Sequence, residues 1–119
     1  MTLGNDGERL AARFLRHAGF TIVARNYTCP AGEIDIIALD RDTIVFVEVK
    51  TRRSDESAYP EANITASKRR QLTRVARYYL HAKAADDRPA RFDVVSVVMG
   101  TLDKPDIKHF IDAFEATMR

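Results

Sequence analysis

Three charged side chains interrupt two apolar runs within Gly32 to Lys50, GEIDIIALDRDTIVFVEVK: Asp35, Glu48 and Lys50. Carboxylates can hold a divalent cation, and an ammonium can stabilise charge at a phosphoryl centre. Whether these three act together depends on where the chain places them. Ile34 to Leu39 and Ile44 to Val49 are rich enough in β-branched and aromatic residues to read as strands. The polar segment Asp40 to Thr43 joins them as a hairpin. With Arg41-Asp42 as the turn, or with all four polar residues as the loop, Asp40 faces Thr43. Asp35 then stands opposite Glu48, and Glu33 opposite Lys50. Opposed residues share a face with Cβ atoms about 4.5–5.5 Å apart, and Glu48 and Lys50 share a face because they are two apart. Two carboxylates in direct opposition repel. A divalent cation between them is the simplest compensation. A three- or five-residue loop would break the parity and send Asp35 to the other face.

The elements around the hairpin must position these groups. Residues 5–18 read as a helix, capped at Asn5 or Asp6 and ended by Gly19. Its stripe is Gly7, Leu10, Ala11, Phe14 and Ala18, with Glu8 at the edge. From spacing alone, Glu8 is a first-turn acid favoured by the helix dipole or an acid reaching into a cleft. Phe20 to Tyr27 reads as a strand, and Thr28 to Gly32 as a turn punctuated by Pro30 and Gly32. Thr51 to Asn63 is polar and reads as a loop. Arg52 and Arg53 follow the acidic cluster, either as solvated strand-end charge or as phosphate contacts.

Thr65 to Lys83 is the second helix, with Thr65 as N-cap and an apolar stripe of Leu72, Val75, Ala76, Tyr79 and Ala82. Lys68, Arg69 and Arg70 crowd its first turns, where cations oppose the dipole, and bound phosphate would offset that. Lys68 continues the stripe one turn back, beside Gln71; Arg74 and Arg77 extend the basic run. Phe92 to Met99 reads as an interior strand, and Asp93 within it as a structural residue contacting Arg or Lys of the second helix. Ile107 to Phe110 reads as a last edge strand before a frayed, partly helical tail. His17, His81 and His109 read as surface or packing residues, and Cys29 as a loop thiol. The order α-β-β-β-α-β-(β) implies an α/β fold with a mixed sheet and helices packed on it.

Composition bounds the function. A chain of 119 residues suits one domain spanning 1–119, and 45% hydrophobic content supports a core. One cysteine excludes an internal disulfide and a cysteine-rich metal site. No apolar run is long enough to cross a membrane, and no signal-peptide core opens the chain, so a cytoplasmic protein without a membrane partner is expected. The net charge of +2 does not by itself demand a nucleic-acid partner. The clustering of cations in the second helix is more telling.

Asp35 followed by Glu48-Val49-Lys50 resembles the Asp…Glu-x-Lys signature of the PD-(D/E)xK nuclease superfamily, with Ile34 where that signature has proline. GNDGERLAARFL, GEIDIIALD, VFVEVKTRR, PEANITASKRRQL and RFDVVSVV, in this order, resemble the YraN family across nearly the whole chain. That family comprises small bacterial proteins taken to be endonucleases related to archaeal Holliday junction resolvases. The resemblance implies a restriction-endonuclease-like fold. It implies that Glu8, Asp35, Glu48 and the Val49 carbonyl hold Mg²⁺ or Mn²⁺, which settles Glu8 as a metal-site acid on family grounds. It also implies catalytic roles for Asp35, Glu48 and Lys50, the lysine orienting the attacking water or stabilising transition-state charge. Arg52, Arg53, Lys68, Arg69, Arg70, Gln71 and Arg74 would contact nucleic acid.

The expected function is metal-dependent hydrolysis of DNA phosphodiesters, at branched or Holliday-junction-like structures. The alternatives are a nucleic-acid-binding module with this fold and little or no turnover, and an adaptor for a protein partner. Cutting two strands of a two-fold junction suits a homodimer.

Overall fold

The computed structural model describes residues 3–53, 63–100 and 104–116. The elements are α1 (Leu3–His17), β1 (Thr21–Cys29), β2 (Gly32–Asp40), β3 (Thr43–Arg53), α2 (Ala66–Ala82), β4 (Ala90–Met99) and β5 (Asp106–Phe114). They form one five-stranded sheet in the order β1-β2-β3-β4-β5. Only β3 and β4 are parallel, and α2 lies in the crossover between them. The other neighbours pair antiparallel. The α/β mixed sheet and the order α-β-β-β-α-β-β agree with the sequence reading and are consistent with a restriction-endonuclease-like fold. No helix among the described residues is long and apolar enough to cross a membrane.

Each face of the sheet carries a core. Ala11, Ala12 and Leu15 of α1 pack with Ile36, Ala38, Val45, Val47, Val95 and Val97. Leu72, Val75, Ala76 and Tyr79 of α2 pack on the other face with Ile37, Phe46, Phe92 and Val94. The central strands are apolar on both sides, as a sheet covered twice requires.

Several boundaries differ from the sequence reading, each for a local reason. α1 includes Leu3, so Asn5 and Asp6 lie inside its first turns and are not its caps. Its end follows the expectation. Gly19 takes φ +100, its N–H donates to Arg16 O and that of Phe20 to Leu15 O, a Schellman pattern. The buried stripe of α1 is rotated from the expected one: Ala12 and Leu15 are buried, whereas Ala18 lies past the helix end and is exposed. α2 starts as expected, with the Thr65 hydroxyl accepting from Lys68 N at 3.1 Å.

Thr51 to Arg53, expected in a loop, continue β3 because β4 pairs with them through Met99. The rest of that expected loop, residues 54–62, lies outside the described residues. β5 runs to Phe114, where a frayed helical tail was expected after Phe110; residues 117–119 of that tail lie outside the described residues. A register shift opposite Asp93 and the left-handed backbone of Asp112 (φ 54) aim the Asp112 N–H at Asp93 Oδ1, 2.9 Å away.

Asp93 is fully buried, and its partners are not on α2 as expected. Arg91 Nε donates to Oδ1 at 2.9 Å and His109 Nε2 lies 2.8 Å from Oδ2. Arg91 reaches on to Asp40 at 3.0 Å. His109 also packs edge-on against Phe14 and Phe20. Burial pushes the Asp93 carboxyl up, but the bonds from His109, Arg91 and the Asp112 N–H outweigh it and hold the group below its ordinary range. This network ties the edge strand β5 to the sheet.

Candidate functional site

The hairpin register is the one the even-length turn implies. Asp40 pairs with Thr43, and pairing continues through Ile36 opposite Val47. There the β2–β3 ladder stops, although β3 keeps pairing with β4 as far as Arg53. The two hairpin strands therefore part as a fork, with Asp35 on one prong and Glu48 on the other.

The fork has a local cause on β1. The β1–β2 ladder passes from Arg25 opposite Ile36 to Tyr27 opposite Ile34 and omits Asn26 and Asp35. Asn26 is left-handed (φ 52), a conformation asparagine tolerates better than most residues. Ile34 and Ile36 would share a face in a regular strand, yet they join opposite cores. β2 thus turns over at Asp35 and leaves its carboxylate facing the gap. Asp35 Oδ2 accepts from Val49 N at 2.7 Å across the fork. A strand residue directs its N–H and C=O to the same neighbour, so the Val49 carbonyl faces the fork too.

Glu48 meets Asp35 through a side-chain hydrogen bond. Burial comes first, and the Asp35 charge second, in raising the Glu48 carboxyl from 4.5 to about 8. Lys68 Nζ, 3.4 Å from Glu48 Oε2, works the other way. The two observations conflict if the contact is read as a full ion pair. Burial governs, because the Glu48 side chain is only 14% exposed. Near neutral pH the contact is mainly a charge-assisted hydrogen bond from Lys68 to a protonated acid.

Glu8 enters from α1. It lies at helical spacing with Ala11, Ala12 and Leu15, so it sits within the sheet-facing stripe and not at its edge. α1 can approach because residue 7 is glycine: a Cβ there would collide with the Thr51 side chain. Burial raises the Glu8 carboxyl, then Asp35 and Glu33, against the lowering effects of Arg25 and an Asn26 hydrogen bond. Glu8 Oε1 is buried without a hydrogen-bond partner among the described residues. Among the described residues, no group of three or more His, Cys, Asp or Glu is already arranged to hold a metal ion.

The other expected site residues fall into two sets. Lys50 donates from Nζ to Asn63 O at 2.6 Å and clips the approach to α2. Lys68 and Gln71 border the fork, with Gln71 lying over Gly32 (φ +137), where a Cβ would meet its amide at 2.7 Å. Arg52 is half-buried and Arg53 exposed at the end of β3. Arg69 and Arg70 are half-buried on α2, and Arg74 is exposed. Sequence reasoning missed Asn26 and Asn63. A left-handed Asn within a strand, or a backbone carbonyl used as an anchor, leaves no periodic signal.

A family model described as "Uncharacterised protein family UPF0102" matches residues 7–97. A UPF0102 protein of Geotalea uraniireducens (strain Rf4) is 46% identical over 114 residues, covering 96% of this chain and 90% of the relative. One from Caldicellulosiruptor saccharolyticus is 52% identical over 97 residues, 82% of each chain. One from Nocardia farcinica is 47% identical over 112 residues, 94% of this chain and 88% of the relative.

Proposed function

The chain belongs to the uncharacterised family UPF0102, the YraN family of the sequence resemblance, and for this member we propose metal-dependent hydrolysis of DNA phosphodiester bonds, at branched structures. One observation carries the reading. Asp35 of β2 acts on acids from two other elements, Glu8 of α1 and Glu48 of β3; both are raised, and a Glu8 oxygen is buried with no hydrogen-bond partner among the described residues. Carboxylates so placed gain from a cation, and an unpaired buried carboxylate oxygen fits a metal ligand.

Glu8, Asp35, Glu48 and the Val49 carbonyl would hold Mg²⁺ or Mn²⁺, hard ions suited to oxygen donors. When bound, such an ion supplies a water of lowered pKa and polarises a phosphoryl oxygen. The chain's own groups do the rest. The Val49 N–H fixes the Asp35 carboxylate. Lys68, 3.4 Å from Glu48, would turn to the phosphate where a cation takes its place in balancing the ionised Glu48 carboxylate. Lys50, once released from Asn63, orients the attacking water or meets the charge on the transition state. Arg52, Arg53, Arg69, Arg70, Gln71 and Arg74 contact the nucleic acid around it. A cytoplasmic location and a two-fold dimer on a two-fold junction belong to the same proposal; a monomeric mass by light scattering removes the dimer.

The test uses the full chain with Mg²⁺ or Mn²⁺ and end-labelled four-way, forked, duplex and single-stranded DNA. Cleavage is expected and should vanish in Asp35→Asn. Cleavage that persists in Asp35→Asn and Glu48→Gln refutes the assignment. A second reading, nucleic-acid binding without turnover, is favoured by Lys50 being held on Asn63 O and by the lack of a ready three-acid cage among the described residues. Calorimetry separates the two: DNA binding with no divalent-ion binding at millimolar concentration selects the second.

A further inference from the structure

Tyr78 is the exposed Phe or Tyr side chain among the described residues, with 45% of its surface in contact with solvent. A single exposed apolar side chain is ordinary; its surroundings are not. Arg70 and Arg74 lie two turns and one turn before it on α2, and Arg77 precedes it. Its neighbour Tyr79 is buried and held by two edge-on rings, Tyr27 at 5.2 Å and Phe46 at 5.8 Å between centroids. That anchor fixes the helix where Tyr78 leaves it, so the exposed ring is presented from a rigid base. Tyr78 also lies close enough to Tyr27 to help raise the Tyr27 phenol, after burial and Cys29. Tyr78 follows Gln71 by two turns on the same flank of α2, the flank on which Gln71 covers Gly32.

Lys68, Gln71, Arg74 and Tyr78 follow one flank of α2 away from the fork. Ten residues of helix rise about 15 Å, and stacked nucleotides rise about 3.4 Å each along a strand. The flank thus spans roughly four nucleotides. Cations that track phosphates, followed by an aromatic face, are the elements of a single-strand platform, and every base has a π-face to stack.

We propose that Tyr78 stacks on an unpaired base of the bound strand, about four nucleotides from the phosphate at the fork. The proposal rests on the nucleic-acid reading above and deepens it. It gives the chain a preference for DNA with a single-stranded arm over blunt duplex, set by a residue outside the hydrolytic machinery. The basic flank supplies the charge complementarity, and a planar uncharged base is the partner the ring accepts.

The chain contains no tryptophan and four tyrosines, so base stacking is readable as quenching of tyrosine emission. Binding should be measured without divalent ions, on duplexes carrying single-stranded arms of two and of six nucleotides. Tyr78→Ala should weaken binding to the long arm about ten-fold and abolish part of the quenching, while affinity for the short arm and blunt duplex stays unchanged. Tyr78→Phe should bind the long arm like the wild type. Arg74→Ala should weaken all substrates alike and reduce the salt slope by about one. If Tyr78→Ala binds the long arm like the wild type, or loses affinity equally for every substrate, the stacking role is overturned while the nucleic-acid reading stands. If the wild type binds none of these DNAs, both fall.

Discussion

Replacing Glu48 by glutamine should make the metal-free protein more stable, and more so as pH rises. The Glu48 carboxyl is raised from 4.5 to about 8, chiefly by burial and then by Asp35. A carboxyl raised in the folded state favours folding in its protonated form. That contribution is complete below the unfolded value and is lost as pH climbs toward the folded one. At 1.36 kcal/mol per pH unit, the interval from 4.5 to about 8 caps the effect on the order of 5 kcal/mol. Small movements that admit water at the 14% exposed side chain recover part of this, leaving roughly 2–4 kcal/mol.

Glutamine keeps the shape and never ionises. Thermal melts in a chelator should therefore give the two proteins similar midpoints near about pH 5, and Glu48→Gln a midpoint about 10 °C higher near about pH 8.5. Millimolar Mn²⁺ should close that gap by stabilising the wild type, because the ionised acid gains a partner. Parallel stability curves across this range would show that Glu48 ionises in the fold at no cost, and the electrostatic account of the fork would be wrong.

Gly7→Ala should cost about 1–3 kcal/mol in urea unfolding, since the added methyl overlaps the Thr51 side chain, whereas Gly4→Ala, with nothing within 4 Å of its Cβ position, should be neutral or slightly stabilising. Asp93→Asn should cost on the order of 3 kcal/mol near neutral pH, because Arg91 and His109 lose their buried carboxylate. The wild-type carboxyl is held below its ordinary 3.8, so its stabilisation is present above that value and lost as pH falls through the lower one. An acid titration followed by circular dichroism should accordingly find Asp93→Asn less acid-sensitive than the wild type, though weaker at neutral pH.

The parts that were legible in the sequence are those set by period and punctuation. Gly19 stopped α1, Thr65 started α2, and the even turn at Arg41-Asp42 set the register through Ile36 and Val47. The parts that were not legible depend on backbone events without a period. The stripe of α1 was placed correctly at Ala11 but missed Ala12 and Leu15, which differ little in pattern from Leu10, Phe14 and Ala18; only contact with the sheet distinguishes them. β5 was read too short because its outer half is fixed by Asp112 and His109 against Asp93, residues far apart in sequence.

Parity placed Asp35 and Glu48 together, yet a regular hairpin alone would not have produced the site. Had the β2–β3 ladder continued past Ile36, the Val49 N–H would have bonded to β2 backbone, and Asp35 would have remained a repelled acid on a flat sheet face. The ladder stops because β2 turns over opposite the left-handed Asn26. That break leaves the Val49 N–H without a β2 partner, and the Asp35 carboxylate takes its place with a charge-assisted bond. Gly7 lets α1, which carries Glu8, come close to Thr51 of β3. The irregularity that defeats pattern reading is thus the device that sets the Asp35 carboxylate against the Val49 N–H and beside Glu48, with Glu8 within its electrostatic reach. A flawless β-hairpin with the same Asp, Glu and Lys would have the signature without the site.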